Sequence, residues 1–175
     1  MIKRITIVVV ALLATLLLFA TTRPDNFRVQ RATSVKAPPE KIFPLISDFR
    51  RWDAWSPYEH LDPAMKRSLS GATEGKGAVY EWEGNDKVGK GRMEITRASP
   101  PSKVAIQLDF IKPIEGHDVA EFTLQPQGDA TQVTWTMYGR SPYVAKLMGI
   151  FFDMDSMVGK EFETGLANLK ALAEK

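Results

Sequence analysis

Two histidines, His60 and His117, carry the side chains of this sequence that titrate nearest neutral pH, the property a general acid or base needs. His117 follows Gly116 at the start of a predicted strand, where an ordinary surface-turn histidine accounts for it without catalysis. His60 sits in Tyr58-Glu59-His60-Leu61-Asp62-Pro63, so Glu59 and Asp62 could join it on a metal, but the cluster lacks any ligand spacing that metal sites use. No metal and no cofactor is expected. Ser56 and Ser141 each precede a proline, with no histidine–acid pair in a recognisable arrangement beside them. Glu74-Gly75-Lys76-Gly77 and Val88-Gly89-Lys90-Gly91 superficially suggest phosphate loops. Neither has the P-loop spacing or a strand-then-helix setting, and both read as hairpin punctuation. The chain has no cysteine, which excludes disulfides, thiolate metal ligation and a cysteine nucleophile.

The aromatic residues offer a different chemistry. Trp52, Trp55, Tyr80, Trp82, Phe110, Phe122, Trp135, Phe151 and Phe162 fall at positions predicted to face inward. Of these, Trp52, Trp55, Tyr80, Trp82, Phe110, Phe122 and Trp135, together with Met154, are the candidate lining of an apolar pocket, whose Trp and Tyr edges supply a few hydrogen bonds. A filled core explains the same residues. The two readings stay open on sequence alone.

Positioning these groups requires a sheet. Phe27, Val29, Arg31, Thr33 and Val35 alternate with mostly polar neighbours, the period of a strand. Pro38 and Pro39 then open a short helix with Ile42, Phe43 and Ile46 on one face, and Pro44 keeps it brief or kinked. A second short turn carries Trp52 and Trp55. From Met65 onwards about six strands follow, alternating Ala78, Tyr80 and Trp82, then Val104, Ile106, Leu108 and Phe110, then Ala120, Phe122 and Leu124, then Val133, Trp135 and Met137 on one face. The chain closes on a helical pattern over 142–175, with Val144, Met148, Phe151, Val158, Phe162, Leu166, Leu169 and Ala173 at three- and four-residue steps. A continuous helix of that length would reach about 50 Å, so a bend is expected near Asp153, Asp155 and Ser156, with Asp155 capping the helix that follows. Gly149, Gly159 and Gly165 imply close backbone packing or emptied volume. Antiparallel strands apolar on one face need a cover, and this helix is the element long and apolar enough to give it.

The 175 residues suffice for one sizeable domain and a short appendage. The appendage is 1–22, in which Lys3 and Arg4 precede the apolar run Ile5 to Thr22; it is long enough to cross a membrane. An uncleaved anchor is expected, because Leu18-Phe19-Ala20-Thr21-Thr22 offers no small-x-small cleavage site; a cleaved signal peptide is the rival, leaving a secreted or periplasmic protein. The basic pair before the run places the domain on the extracytoplasmic side. Setting Lys3 and Arg4 aside leaves 21 basic against 21 acidic residues, and a nucleic-acid partner is not expected of so neutral a domain.

The chain resembles the START-like helix-grip superfamily, also called SRPBCC, which gathers polyketide cyclases and dehydrases, pollen-allergen proteins and lipid-transfer domains. The residues that carry the resemblance are Val35-Lys36-Ala37-Pro38-Pro39-Glu40-Lys41-Ile42-Phe43, Ile46-Ser47-Asp48-Phe49, Trp52 to Pro57, Gly84-Asn85 with Val88-Gly89, and Phe162-Glu163-Thr164-Gly165-Leu166-Ala167-Asn168-Leu169. It covers about 27–175. The resemblance implies an α+β fold, an antiparallel sheet curled around a long carboxy-terminal helix with two short helices between strands one and two, and an apolar cavity between sheet and helix. It implies no common catalytic residue set. The reading that follows is a membrane-tethered domain binding a small hydrophobic or lipid-like ligand. Two alternatives stand beside it: a cyclase- or dehydrase-like enzyme in which His117 or Asp109 moves a proton, and an interaction or stress protein whose core is merely filled. Nothing in the sequence bears on oligomeric state.

Overall fold

The computed structural model describes residues 2–175. Helix α1, Ile2–Thr21, is followed by strand β1, Asn26–Val35, and then by helix α2, Pro39–Ser47, in which Pro39 occupies the first turn, where its missing N–H costs nothing. Two 3-10 turns, Phe49–Ala54 and Pro57–His60, lead into six further strands. These are β2 Lys66–Gly71, β3 Ala78–Glu83, β4 Lys90–Ser99, β5 Lys103–Lys112, β6 Gly116–Gln127 and β7 Ala130–Arg140. Helices α3, Tyr143–Met148, and α4, Met154–Ala173, complete the chain.

All seven strands form one antiparallel sheet in the order β1-β7-β6-β5-β4-β3-β2. Consecutive strands from β2 to β7 are hairpin neighbours, and β1 returns to pair with β7, Val29 opposite Met137 and Val35 opposite Thr131. A register shift between Ile95 and Arg97 against β5 adds local twist, which helps the sheet curl. The expected alternation holds: Val104, Ile106 and Leu108, then Ala120, Phe122 and Leu124, then Val133, Trp135 and Met137 are all buried. Helix α4 lies in the concave face with Phe162, Leu166, Leu169 and Ala173 buried.

The helix is gripped by specific contacts. An added Cβ at Gly165 would come within 2.9 Å of the Trp135 ring and 3.0 Å of Pro57 Cδ, so only glycine permits this approach of α4 to both sheet and 3-10 turn. Gly159 leaves room for the Arg31 guanidinium. That side chain crosses the helix and donates to Glu163 Oε1 at 2.7 Å and Asp155 Oδ2 at 3.0 Å. At the other end Lys170 Nζ donates to Ser34 O at 2.8 Å, and Glu174 Oε1 accepts from the Lys36 backbone N–H at 2.7 Å.

Two expectations for the carboxy-terminal region change. The break falls at 149–153, slightly earlier than anticipated, and the cap of α4 is Asp153, whose Oδ1 accepts from the Ser156 backbone N–H at 3.2 Å. Asp155 is already inside the first turn, where Arg31 holds its carboxylate. The second change concerns the apolar stripe, which contributes to the core only within α4: Val144, Met148 and Phe151, before it, are exposed.

Candidate functional site

The interior divides along the strands. Toward the end formed by the β2–β3, β4–β5 and β6–β7 turns it is filled; toward the opposite end a cavity of about 110 Å³ remains between the sheet and α4. Its walls come from four directions. Tyr80 and Trp82 on β3, Met93 on β4 and Leu108 and Phe110 on β5 supply one side. Ala120 on β6 and Trp135 and Met137 on β7 supply the floor, Phe162 on α4 the roof. Trp52, Ser56, Tyr58 and Glu59 on the 3-10 turns, with Met65 and Val88, close the remainder. Tyr58, Trp82, Val88 and Phe110 are half-buried while their neighbours are buried, which places the open side of the cavity at the β3–β4 turn and the end of β5.

The side chains around it are held firmly. Trp52 Nε1 donates to Ile46 O at 3.0 Å and Trp55 Nε1 to Leu45 O at 2.9 Å, so the paired tryptophans satisfy two carbonyls near the end of α2. Trp82 Nε1 donates to Val88 O at 2.9 Å across the β3–β4 turn. Trp135 stacks on Phe162 with ring centroids 4.0 Å apart and an interplanar angle of 7°. Its Nε1, however, is buried without a hydrogen-bond partner among the described residues, as is Ser56 Oγ. Both residues border the cavity. Buried donors are normally paired, so two orphans beside one void call for an acceptor.

The carboxylate at the cavity wall is already engaged. Glu59 Oε1 accepts from the Tyr80 hydroxyl at 2.8 Å, and Oε2 accepts from Arg67 Nε at 2.6 Å. Burial and then this bond to Glu59 push the Tyr80 phenol well above its ordinary range, and burial does the same to Tyr58. Both phenols stay protonated as donors. One inward position beyond Ala120, Asp118 is buried over Gly139 and near Phe27. Burial raises its carboxyl to about 6.

Of the residues singled out by sequence, Trp52, Tyr80, Trp82, Phe110 and Trp135 meet around the cavity. Trp55 and Phe122 lie behind it: both are fully buried, their rings 6.0 Å apart, and both pack on Trp135. Met154 lies elsewhere, exposed at the start of α4. The reason is the early chain break, which keeps the first turn of α4 from reaching the core. His117 and Asp109 pair with each other, Nδ1 to Oδ1 at 2.8 Å, at positions that alternate with the inward Leu108, Phe110 and Asp118 and so lie on the convex face. The bond to Asp109 raises the imidazole pKa, but neither group lines the cavity. His60 Nε2 lies 3.0 Å from Asp53 O, and no cluster of three metal-ligating side chains occurs among the described residues.

Sequence reading missed Ser56, Tyr58, Glu59, Met65, Val88, Met93, Leu108, Ala120 and Met137 as lining residues. Met93, Leu108, Ala120 and Met137 follow from strand alternation once their neighbours are placed. Ser56, Glu59 and Met65 lie in or beside irregular turns, where no period points inward.

Solved structures share this architecture. A protein from Chromobacterium violaceum is 16% identical, with a TM-score of 0.60 over 87% of this chain and 99% of its own. The Aha1 dimer from Colwellia psychrerythraea is 18% identical, with a TM-score of 0.60 over 85% of this chain and 96% of its own. The di-domain ARO/CYC BexL from the BE-7585A biosynthetic pathway is 11% identical, with a TM-score of 0.63 over 90% of this chain and 53% of its own. At such identities the likeness speaks to fold alone. No curated protein matches. The model of the family described as polyketide cyclase / dehydrase and lipid transport matches residues 26–174, nearly the whole of the chain after α1, and the chain therefore belongs to that family.

Proposed function

We propose that this protein binds a small, mainly apolar ligand between its sheet and α4, and that α1 tethers it to a membrane. The observation that carries the first half is the void itself, bordered by the unpartnered Ser56 Oγ and Trp135 Nε1 in an interior that is otherwise packed. Affinity would come from apolar burial at about 25 cal/mol per Å², and one carbonyl or hydroxyl oxygen accepting from these donors would fix orientation. A volume of 110 Å³ is below the roughly 300 Å³ of a typical ligand pocket. A lipid-like occupant therefore requires Met65, Met93 and Met137 to shift, as unbranched thioether chains readily do.

The tether rests on α1. Its 20 residues make a helix about 30 Å long, the thickness of a bilayer core, and its apolar side chains are exposed apart from the half-buried Leu16 and the buried Ala20. The domain also builds contacts onto the last turns of α1, since the Tyr143 hydroxyl donates to Leu17 O at 2.9 Å. That favours retention of the segment over its removal as a signal peptide. Lys3 and Arg4 in the first turn of the helix favour an extracytoplasmic domain.

N-phenyl-1-naphthylamine titrated into the full chain in detergent micelles, against micelles alone, tests the cavity. Saturable one-to-one binding is expected, abolished by Ala120→Leu, which fills the floor, while circular dichroism stays unchanged. Binding that ignores Ala120→Leu, or no saturable binding at all, overturns the reading.

A further inference from the structure

The segment from Val144 to Met157 leaves six large apolar side chains in the open: Val144, Met148, Phe151, Phe152, Met154 and Met157 are 42–65% exposed. A cluster of this kind on one short stretch marks an interaction surface. Its position says what covers it. The link between α1 and β1 is four residues, Thr22 to Asp25, and spans at most about 14 Å, so this end of the domain is held beside the end of α1. The Tyr143 hydroxyl reaches Leu17 O, about 6 Å below the last residue of α1, and Ala20 is fully buried. Helix α3 therefore starts level with the last turn of α1. Lys146, the cation of α3, pairs with Asp25 and is only 11% exposed. The acidic groups are occupied too, Asp153 as the cap of α4 and Asp155 by Arg31.

We infer that the segment from Tyr143 to Met157 lies in the headgroup–acyl boundary of the bilayer leaflet from which α1 emerges. The inference rests on the tether reading and deepens it. A helix with one apolar face, followed by two phenylalanines and flanked by a tyrosine, suits that boundary. This second contact fixes the orientation of the domain on the membrane. By strand register, the β3–β4 turn and the end of β5, where the cavity is open, lie at the same end of the sheet as the start of β1 and the end of β7. The open side of the cavity thus lies toward the lipid. With Lys146 and Asp155 already paired and Asp153 held as a helix cap, the surface needs no anionic lipid.

Because the chain has no cysteine, single cysteines carrying an NBD fluorophore report depth directly. The full chain is reconstituted in phosphatidylcholine vesicles containing doxyl-labelled lipid, with labels at Phe151→Cys, Phe152→Cys, Leu13→Cys within α1, or Asp129→Cys on the far β6–β7 turn. The labels at 151, 152 and 13 are expected to lose most of their emission, and the label at 129 to keep it. If 151 and 152 behave like 129 while 13 is quenched, the docking inference is overturned and the tether stands; a face reserved for a protein partner gives this result. If 13 is unquenched as well, the tether fails and the docking surface fails with it.

Discussion

The two halves of the interior are built from different residues, and the difference separates holding a fold from holding a guest. The filled half packs Ile42, Ile46, Ile95, Ile106, Leu124, Leu166 and Leu169, all essentially inaccessible. The isoleucines are stiff at χ1, and the set interlocks with little freedom. The half around the cavity is rich in methionines and aromatics: Met65, Met93 and Met137 with Tyr80, Trp82 and Phe110. The Tyr80 and Trp82 rings are fixed by hydrogen bonds at their polar edges, while the thioethers between the rings can rearrange at small cost. Rigid posts and soft filler in one wall allow a pocket to change volume without unfolding its frame.

Substitution should sharpen this contrast. Leu166→Ala in the filled half is expected to cost about 3–5 kcal/mol in denaturant unfolding, because its neighbours cannot close the gap, whereas Met137→Leu beside the cavity should cost less than about 1.5 kcal/mol. Equal losses would mean that the two halves pack alike. Gly165→Ala tests the boundary between them. The new methyl meets Trp135 and Pro57, and overpacking of this kind costs about 1–3 kcal/mol, measured by the same unfolding midpoint. Binding of the naphthylamine probe should weaken too, since Trp135 must move.

A further modest effect depends on pH. Burial raises the Asp118 carboxyl to about 6, so ionising it in the folded protein is unfavourable. The folded-state value lies above the unfolded one of 3.8, so this contribution to stability is fully present below pH 4 and is lost as pH rises through 6. Asp118→Asn should therefore stabilise the protein by about 1–2 kcal/mol at pH 8, after allowance for solvent at the rim, and the gain should vanish near pH 4. A gain independent of pH would place the effect in packing instead.

Much of the fold was legible because period-two alternation survives in β1 and in β3 to β7, and because the resemblance carried by Val35 to Phe43 and Phe162 to Leu169 spans both ends of the domain. The site was legible where it rides on that alternation, as for Tyr80, Trp82, Phe110 and Trp135. Glu59 and Ser56 were not: a 3-10 turn has no repeating face, and its inward residues are set by how the turn docks under α4, for example by Asn168 Nδ2 donating to Trp55 O at 3.1 Å. Helical spacing misled over Val144, Met148 and Phe151, whose period is real but whose cover is not supplied by the domain. Asp155 was misassigned for a related reason, because its partner, Arg31, is 124 residues away in sequence.

The four tryptophans of the chain, Trp52, Trp55, Trp82 and Trp135, all lie on the cavity wall or directly behind it. Intrinsic emission is thus a spectroscopic gauge of a single location. Excited at the indole band, the protein should report an arriving guest, a flooded void or a collapsed one through the same unlabelled signal, with no background from the distant surface or from α1.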